Sequence, residues 1–201
     1  LMELIRILLI ISLIISCLLE ICSTSQRVFT TTDFMMFESN ALVYFEVLKP
    51  DKIKYIFKLR PAKDFGSLFK IQFNRIRLVA TEPLEACQPL TNGWAMNGAI
   101  ALVARGGCSF VTKCNIVEQF GAVAVFVADN VNDNPDAMVD MVHDGTSREV
   151  HIPAGFLLGS DGYHIREAIK EAKVPEAIIS IPVNVTTHPD LYTRQPPWSY
   201  W

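Results

Sequence analysis

The sequence predicts an α/β (α+β) protein with a single domain, a mixed sheet and two helices. Three observations carry that expectation. The chain has 201 residues, 50% of them hydrophobic, enough for one well-buried core and too few for two large ones. Residues 100–104 and 122–128 are short, unbroken apolar runs, the pattern of strands covered on both faces. Residues 110–121 between them carry apolar side chains at helical spacing, so strand, helix and strand succeed one another closely enough for a parallel crossover.

Taken in order, residues 42–48 and 53–59 are rich in β-branched and aromatic side chains and flank Lys49, Pro50 and Asp51. They read as two antiparallel strands joined by a turn. Over residues 71–79 the apolar positions Ile71, Phe73, Ile76 and Leu78 slip out of alternation between Phe73 and Ile76, which predicts a third strand with a bulge. Residues 82–96 hold Pro83, Pro89, Gly93 and Cys87, a loop composition with room for one helical turn. Gly98 and the pair Gly106, Gly107 bound the strand at 100–104. Ser109 then caps a helix whose apolar face is Phe110, Cys114, Val117 and Gly121, with Lys113, Glu118 and Gln119 elsewhere on the wheel, and Gly121 stops it. A strand follows at 152–158, then a helix at 159–173 that turns Ile165, Ala168, Ile169 and Ala172 inward and is ended by Pro175. Residues 177–185 supply a last β-branched strand. Residues 186–201 have three prolines, aromatic side chains and no period, and read as an extended tail.

The N-terminal end is of another kind. Residues 7–19 are almost wholly apolar, with Arg6 before them and Ser23, Thr24 and Ser25 after, which is the grammar of a signal peptide over residues 1–25. As a helix that run covers about 20 Å, short of the roughly 30 Å hydrocarbon core of a bilayer, so cleavage is favoured over anchoring. Residues 26–40 form a polar, Thr-rich N-terminal tail, and residues 41–185 the folded domain. The expected route is secretion through the endoplasmic reticulum lumen, with no membrane attachment after cleavage. Eighteen Lys and Arg against 21 Asp and Glu give a net charge of −3, which offers nothing to nucleic acid or an anionic membrane. Cleavage removes Cys17 and Cys22 and leaves Cys87, Cys108 and Cys114 in an oxidising compartment, one bridge and one spare.

Residues 99–126 read AIALVARGGCSFVTKCNIVEQFGAVAVF. This resembles the protease-associated domain, whose hallmark is an apolar strand, R-G-G-C-S-F, a helix and then G-A-x-A-V. Ile152, Pro153 and Ala154, followed by the turn from Gly159 to Gly162, resemble the second half of the same domain. The resemblance covers residues 41–185. It implies a mixed β-sandwich or open barrel with two flanking helices, no catalytic residues and no cofactor. It also implies a role in contact and substrate selection, as in the proteases, sorting receptors and membrane ubiquitin ligases that carry the domain. The family pattern supports a disulfide between Cys87, in a loop, and Cys108, at a strand end. Such a bond is worth about 3 kcal/mol in the chain-entropy view. Cys114 is then a free thiol on the apolar face of its helix.

The candidate binding residues are Arg105, Gly106, Gly107 and Ser109. Glycines before a capped helix let backbone N–H groups approach an anion, but a Walker-type Lys is missing. In sorting receptors that this domain resembles, the corresponding loop contributes to peptide capture, which makes Arg105 the first residue to test. The alternative is a tight structural turn. Asp129, Asn130, Asn132, Asp133, Asn134 and Asp136 have the composition of a calcium loop, yet Pro135 and Met141 stand where an EF-hand needs Gly and Glu, so no metal is expected. His143, His151, His164 and His188 match no zinc spacing, and no GxSxG elbow surrounds a serine. Asn184, Val185 and Thr186 form the one N-glycosylation sequon. Pro189, Pro196, Pro197, Trp198, Tyr200 and Trp201 suit either a docking peptide or a segment folded back on the domain. The function expected is that of a secreted, non-catalytic glycoprotein that binds a protein or peptide. The alternative is a detached regulatory or substrate-selecting domain of a larger luminal protease or membrane ubiquitin ligase.

Overall fold

The computed structural model describes residues 42–130, 137–185, 190 and 193–199. The expected signal peptide and N-terminal tail lie outside the described residues, as do Asn132 to Asp136 of the acidic loop, Thr186 of the sequon, His188, Pro189, Tyr200 and Trp201. Among the described residues seven strands and two helices follow in the order β1 Val43–Lys49, β2 Ile56–Pro61, β3 Phe73–Ala80, β4 Ile100–Ala104, α1 Phe110–Gln119, β5 Ala124–Ala128, β6 Ala154–Leu157, α2 Gly159–Glu171 and β7 Ala177–Ile181.

Of the sandwich and the barrel, the barrel is the form adopted, and it closes in the order β1-β2-β6-β5-β4-β3-β7. Strands β3, β4, β5 and β6 run parallel. Closure is made by β7, which pairs antiparallel with both β1 and β3. The expected bulge is present, as a register shift between Phe73 and Ile76. The turn after β1 differs from expectation: residues 51–53 form a 3-10 turn rather than the start of a strand. Ile53 is 2% exposed there, so its side chain enters the core from the turn, and β2 begins three residues later.

Alternation sorts the strand residues into two cores. Every strand sends residues inward, and Phe45, Phe57 and Phe126 meet at the centre with ring centroids 5.2 and 5.0 Å apart from Phe45. Ile165, Ala168 and Ile169 of α2 close this interior, while Ala172, expected inward, is exposed beyond the last helical turn. The outward residues Ala101, Val103, Val125 and Val127 pack under Val111, Cys114 and Val117 of α1. Strands β4 and β5 are therefore covered on both faces, as their unbroken apolar runs require.

One residue of α1 departs from the wheel. Lys113, assigned to the polar side, is 0% exposed. Its long apolar stem packs and its ammonium finds carbonyls of two loops, contacts that helical periodicity does not encode. The C-terminal segment also folds back. Arg194 O accepts from Ile56 N at 2.8 Å, Arg194 pairs with Glu46, and Trp198 sits edge-on to Tyr55. Residues 193–199 are a strap on their own domain, the second of the two expected arrangements.

Candidate functional site

The turn from Arg105 to Ser109 follows β4 and leads into α1. Gly106 and Gly107 have φ of 103° and 78°, values that favour glycine. A Cβ on Gly107 would stand 2.9 Å from Cys87 Sγ, so the turn lets the two cysteines meet. Cys87 and Cys108 are bonded, with Cα atoms 5.7 Å apart. Lys113 Nζ donates to Glu85 O at 2.6 Å and to Gly106 O at 2.5 Å, fastening the loop that holds Cys87 to the turn that holds Cys108.

Ser109 is occupied by the same scaffold. Its Oγ accepts from Thr112 N at 3.2 Å as the N-cap of α1 and donates to Asp144 Oδ2 at 2.5 Å. Asp144 also accepts from Thr146 and Arg148. Hydrogen bonds from Ser109 and Thr146, with the Arg148 charge, hold its carboxyl well below the usual range. Cys114, on the same helix, is the free cysteine among the described residues and is buried. Burial pushes its thiol up to about 12, with Glu118 adding to the rise and Lys113 opposing it.

Arg105 points elsewhere. Its Nη1 lies 3.2 Å from Asp129 Oδ1 and 3.4 Å from Oδ2, and its side chain is 36% exposed against 2% for Asp129. Asp129 also holds Asn130 N at 2.8 Å. Asp129, though not Arg105, lines a cleft of about 280 Å³, formed where β4 and β5 end and α2 begins. Glu85 gives one wall; Asp129 and Asn130 lie at its floor; Ser160, Tyr163 and Arg166 give the other wall.

The α2 end of the cleft is open in its hydrogen bonding. The N-cap position is Leu158, whose side chain makes no cap. The Gly159 and Ser160 amides thus have no intrahelical acceptor. Ser160 Oγ is buried and has no hydrogen-bond partner among the described residues. Among the described residues Arg166 spends only its Nε, on Gly162 O at 3.3 Å. Donors therefore line one wall of the cleft, and a carboxylate lies opposite. Such a surface suits backbone carbonyls and acidic groups of an extended chain.

The far side of α2 is held by the strap. Asp161, 1% exposed, accepts from Trp198 Nε1 at 2.9 Å, and Trp198 stacks on His164 with centroids 3.9 Å apart. His164 in turn meets Tyr163 edge-on at 5.4 Å, so the strap braces a residue of the cleft wall.

None of the four candidate binding residues lines the cleft: Arg105 contacts its lining residue Asp129, while Gly106, Gly107 and Ser109 shape and cap the turn behind. Asn184 is exposed just beyond β7. Sequence reasoning missed the roles of Lys113, Ser160, Tyr163 and Arg166. One signal was available: the turn Leu158-Gly159-Ser160 enters a helix with no Ser, Thr, Asp or Asn at the cap position. Among the described residues no group of three or more His, Cys, Asp or Glu is placed to hold a metal. Nor is any helix among them long and apolar enough to cross a membrane.

Resemblances to known proteins follow the same outline. A zinc aminopeptidase from Bacillus subtilis superposes with a TM-score of 0.50 at 18% identity, over 70% of this chain and 29% of that one, a likeness of fold alone. The ER degradation-enhancing alpha-mannosidase-like protein 3 of Xenopus laevis is 37% identical over 103 residues, 49% of this chain but 11% of that protein. The PRADC1-like protein of Drosophila melanogaster is 42% identical over 161 residues, 79% of this chain and 82% of the fly protein. A family model described as the PA domain matches residues 75–165. The chain belongs to the protease-associated (PA) domain family, and to the branch represented by the fly protein.

Proposed function

We propose that this chain is a non-catalytic interaction module of the secretory route that captures an extended segment of another protein in the cleft between β4, β5 and α2. The observation that carries the proposal is the cleft itself, lined by Asp129, which Arg105 pairs with from outside, and by the uncapped start of α2. The apolar leader at residues 7–19, the Cys87–Cys108 bond and the exposed Asn184 of the sequon support secretion and glycosylation. Two measurements check that part. Glycosidase treatment and Asn184→Gln should each increase gel mobility of protein recovered from medium, and retention of the chain in carbonate-washed membranes would contradict release.

A second reading is favoured by one observation. In the Xenopus relative, and in a rice protein named for receptor homology, transmembrane and RING domains, the matched region is 11% and 15% of the whole. The same domain therefore occurs as an appendage, and the alternative is that this chain regulates or selects substrates for a larger luminal protease or membrane ubiquitin ligase. The length of the transcript beyond Trp201 distinguishes the two.

For the cleft, partners are cross-linked in medium, identified by mass spectrometry and then titrated against purified protein. Arg105→Lys keeps the charge beside Asp129 while losing the planar fork, and should weaken binding about tenfold with little loss of stability. Unchanged affinity for a verified partner rejects the site.

A further inference from the structure

The disulfide has a buried cation against it. Lys113 Nζ lies 3.5 Å from Cys87 Sγ, and its two hydrogen-bond acceptors, Glu85 O and Gly106 O, are neutral. Among the described residues no carboxylate is within ion-pair distance of it. An ammonium taken out of water with only neutral partners is held at a cost, and it gains most from an anion formed at contact. Reduction of the bond supplies that anion. A thiolate on Cys87 would form beside the ammonium, the setting that lowers a cysteine pKa. Both cysteines are half-buried and lie where the two loops meet.

We propose that the Cys87–Cys108 bond is a thiol–disulfide exchange site, in which a thiolate reductant attacks Cys108 and Cys87 leaves as a thiolate held by Lys113. In the first step the attacking thiolate bonds Cys108 Sγ while the Cys87–Cys108 bond breaks, and the bonding pair goes to Cys87 Sγ. A second thiolate then attacks the mixed disulfide at its own sulfur and releases Cys108 as a thiolate. Two reductant thiols become one disulfide, and two electrons pass to the protein. The leaving sulfur departs better the lower its pKa, which fixes the direction of attack. The titratable groups around the bond are Lys113, Glu85 on the Cys87 loop and Cys114 on α1. Arg105, at the start of the turn, is engaged by Asp129. Because the bond ties the cleft wall at Glu85 to the turn before α1, opening it frees one side of the cleft. That consequence rests on the proposed function; the exchange chemistry does not.

The test uses the purified, oxidised full chain in native buffer with reduced glutathione, quenched with acid and mapped by mass spectrometry. The expected product is the glutathione adduct on Cys108, in about tenfold excess over the adduct on Cys87, one pKa unit being a factor of ten. On the natively reduced chain, the pH profile of iodoacetamide labelling should place Cys87 below the ordinary thiol value of about 8.5. In glutathione redox buffers Lys113→Met should shift the equilibrium about tenfold toward the disulfide, and Lys113→Arg should restore it. Adduct mapping needs no variant, so misfolding of Lys113→Met leaves the result decisive. Adducts on Cys87 or shared equally, a Cys87 midpoint at or above 8.5, or a bond that glutathione does not open in the native chain would each overturn the proposal.

Discussion

The two helices follow strands in the same way, but their first turns are built oppositely. At α1 the polar side chains are engaged: Ser109 caps Thr112 N, Asp144 holds Ser109, and Lys113 joins the flanking loops behind a disulfide. At α2 a leucine stands at the cap, Ser160 Oγ has no partner among the described residues, and a cleft opens in front. An unsatisfied buried donor costs stability that a satisfied one returns. On the proposed function the difference separates scaffold from recognition: α1 spends its polar groups on holding the barrel together, whereas α2 leaves its own open to the cleft.

The largest effect that can break this contrast is expected at Lys113. Replacing it with Met leaves the carbonyls of Glu85 and Gly106 without their donor and should cost about 2 kcal/mol or more in urea unfolding. Arg166→Met on α2 should stay within about 0.5 kcal/mol. Equal costs would mean that the two ends are not differently built. Next comes the strap. Trp198→Ala removes the indole from Asp161 and the ring from His164 and Tyr55, which should cost about 2 kcal/mol and speed proteolysis of the C-terminal segment. An unchanged digestion pattern would detach the strap from the support of α2.

A smaller, pH-dependent effect belongs to Asp144. Its carboxyl is held low in the folded chain, so its contribution is fully present above the ordinary carboxylate value of about 3.9 and is lost as pH falls from there toward the folded value. The urea midpoint of the native sequence should therefore fall on acidification in that window, while that of Asp144→Asn should fall less. Parallel pH profiles would show that Asp144 does not clamp the start of α1.

What the sequence made legible was local. The apolar runs of β4 and β5, the cap at Ser109, the stop at Gly121 and the bulge before Ile76 each depend on neighbours a few positions away, and all four are found in the fold. Closure of the barrel was not legible, because alternation in β7 marks a strand without naming β1 and β3 as its partners. Nor was the burial of Lys113, whose acceptors include Glu85, 28 positions away. Charge alone assigns such a residue to the surface. The strap was ambiguous for a similar reason: proline and tryptophan suit docking in cis and in trans alike, and only the contacts with Asp161, His164 and Tyr55 decide. Arg105 was singled out by resemblance, but the cleft lined by its partner Asp129 is assembled with α2, more than fifty residues along the chain.

A paired measurement of Ser109→Ala and Ser160→Ala by urea unfolding tests the division between the two helix starts most directly. Loss of the cap at Ser109 should cost about 1 kcal/mol, whereas loss of the unpartnered hydroxyl at Ser160 should be neutral within about 0.5 kcal/mol or slightly stabilising. Equal destabilisation by the two substitutions, or a larger cost at Ser160, would contradict the assignment of α1 to scaffold and α2 to recognition.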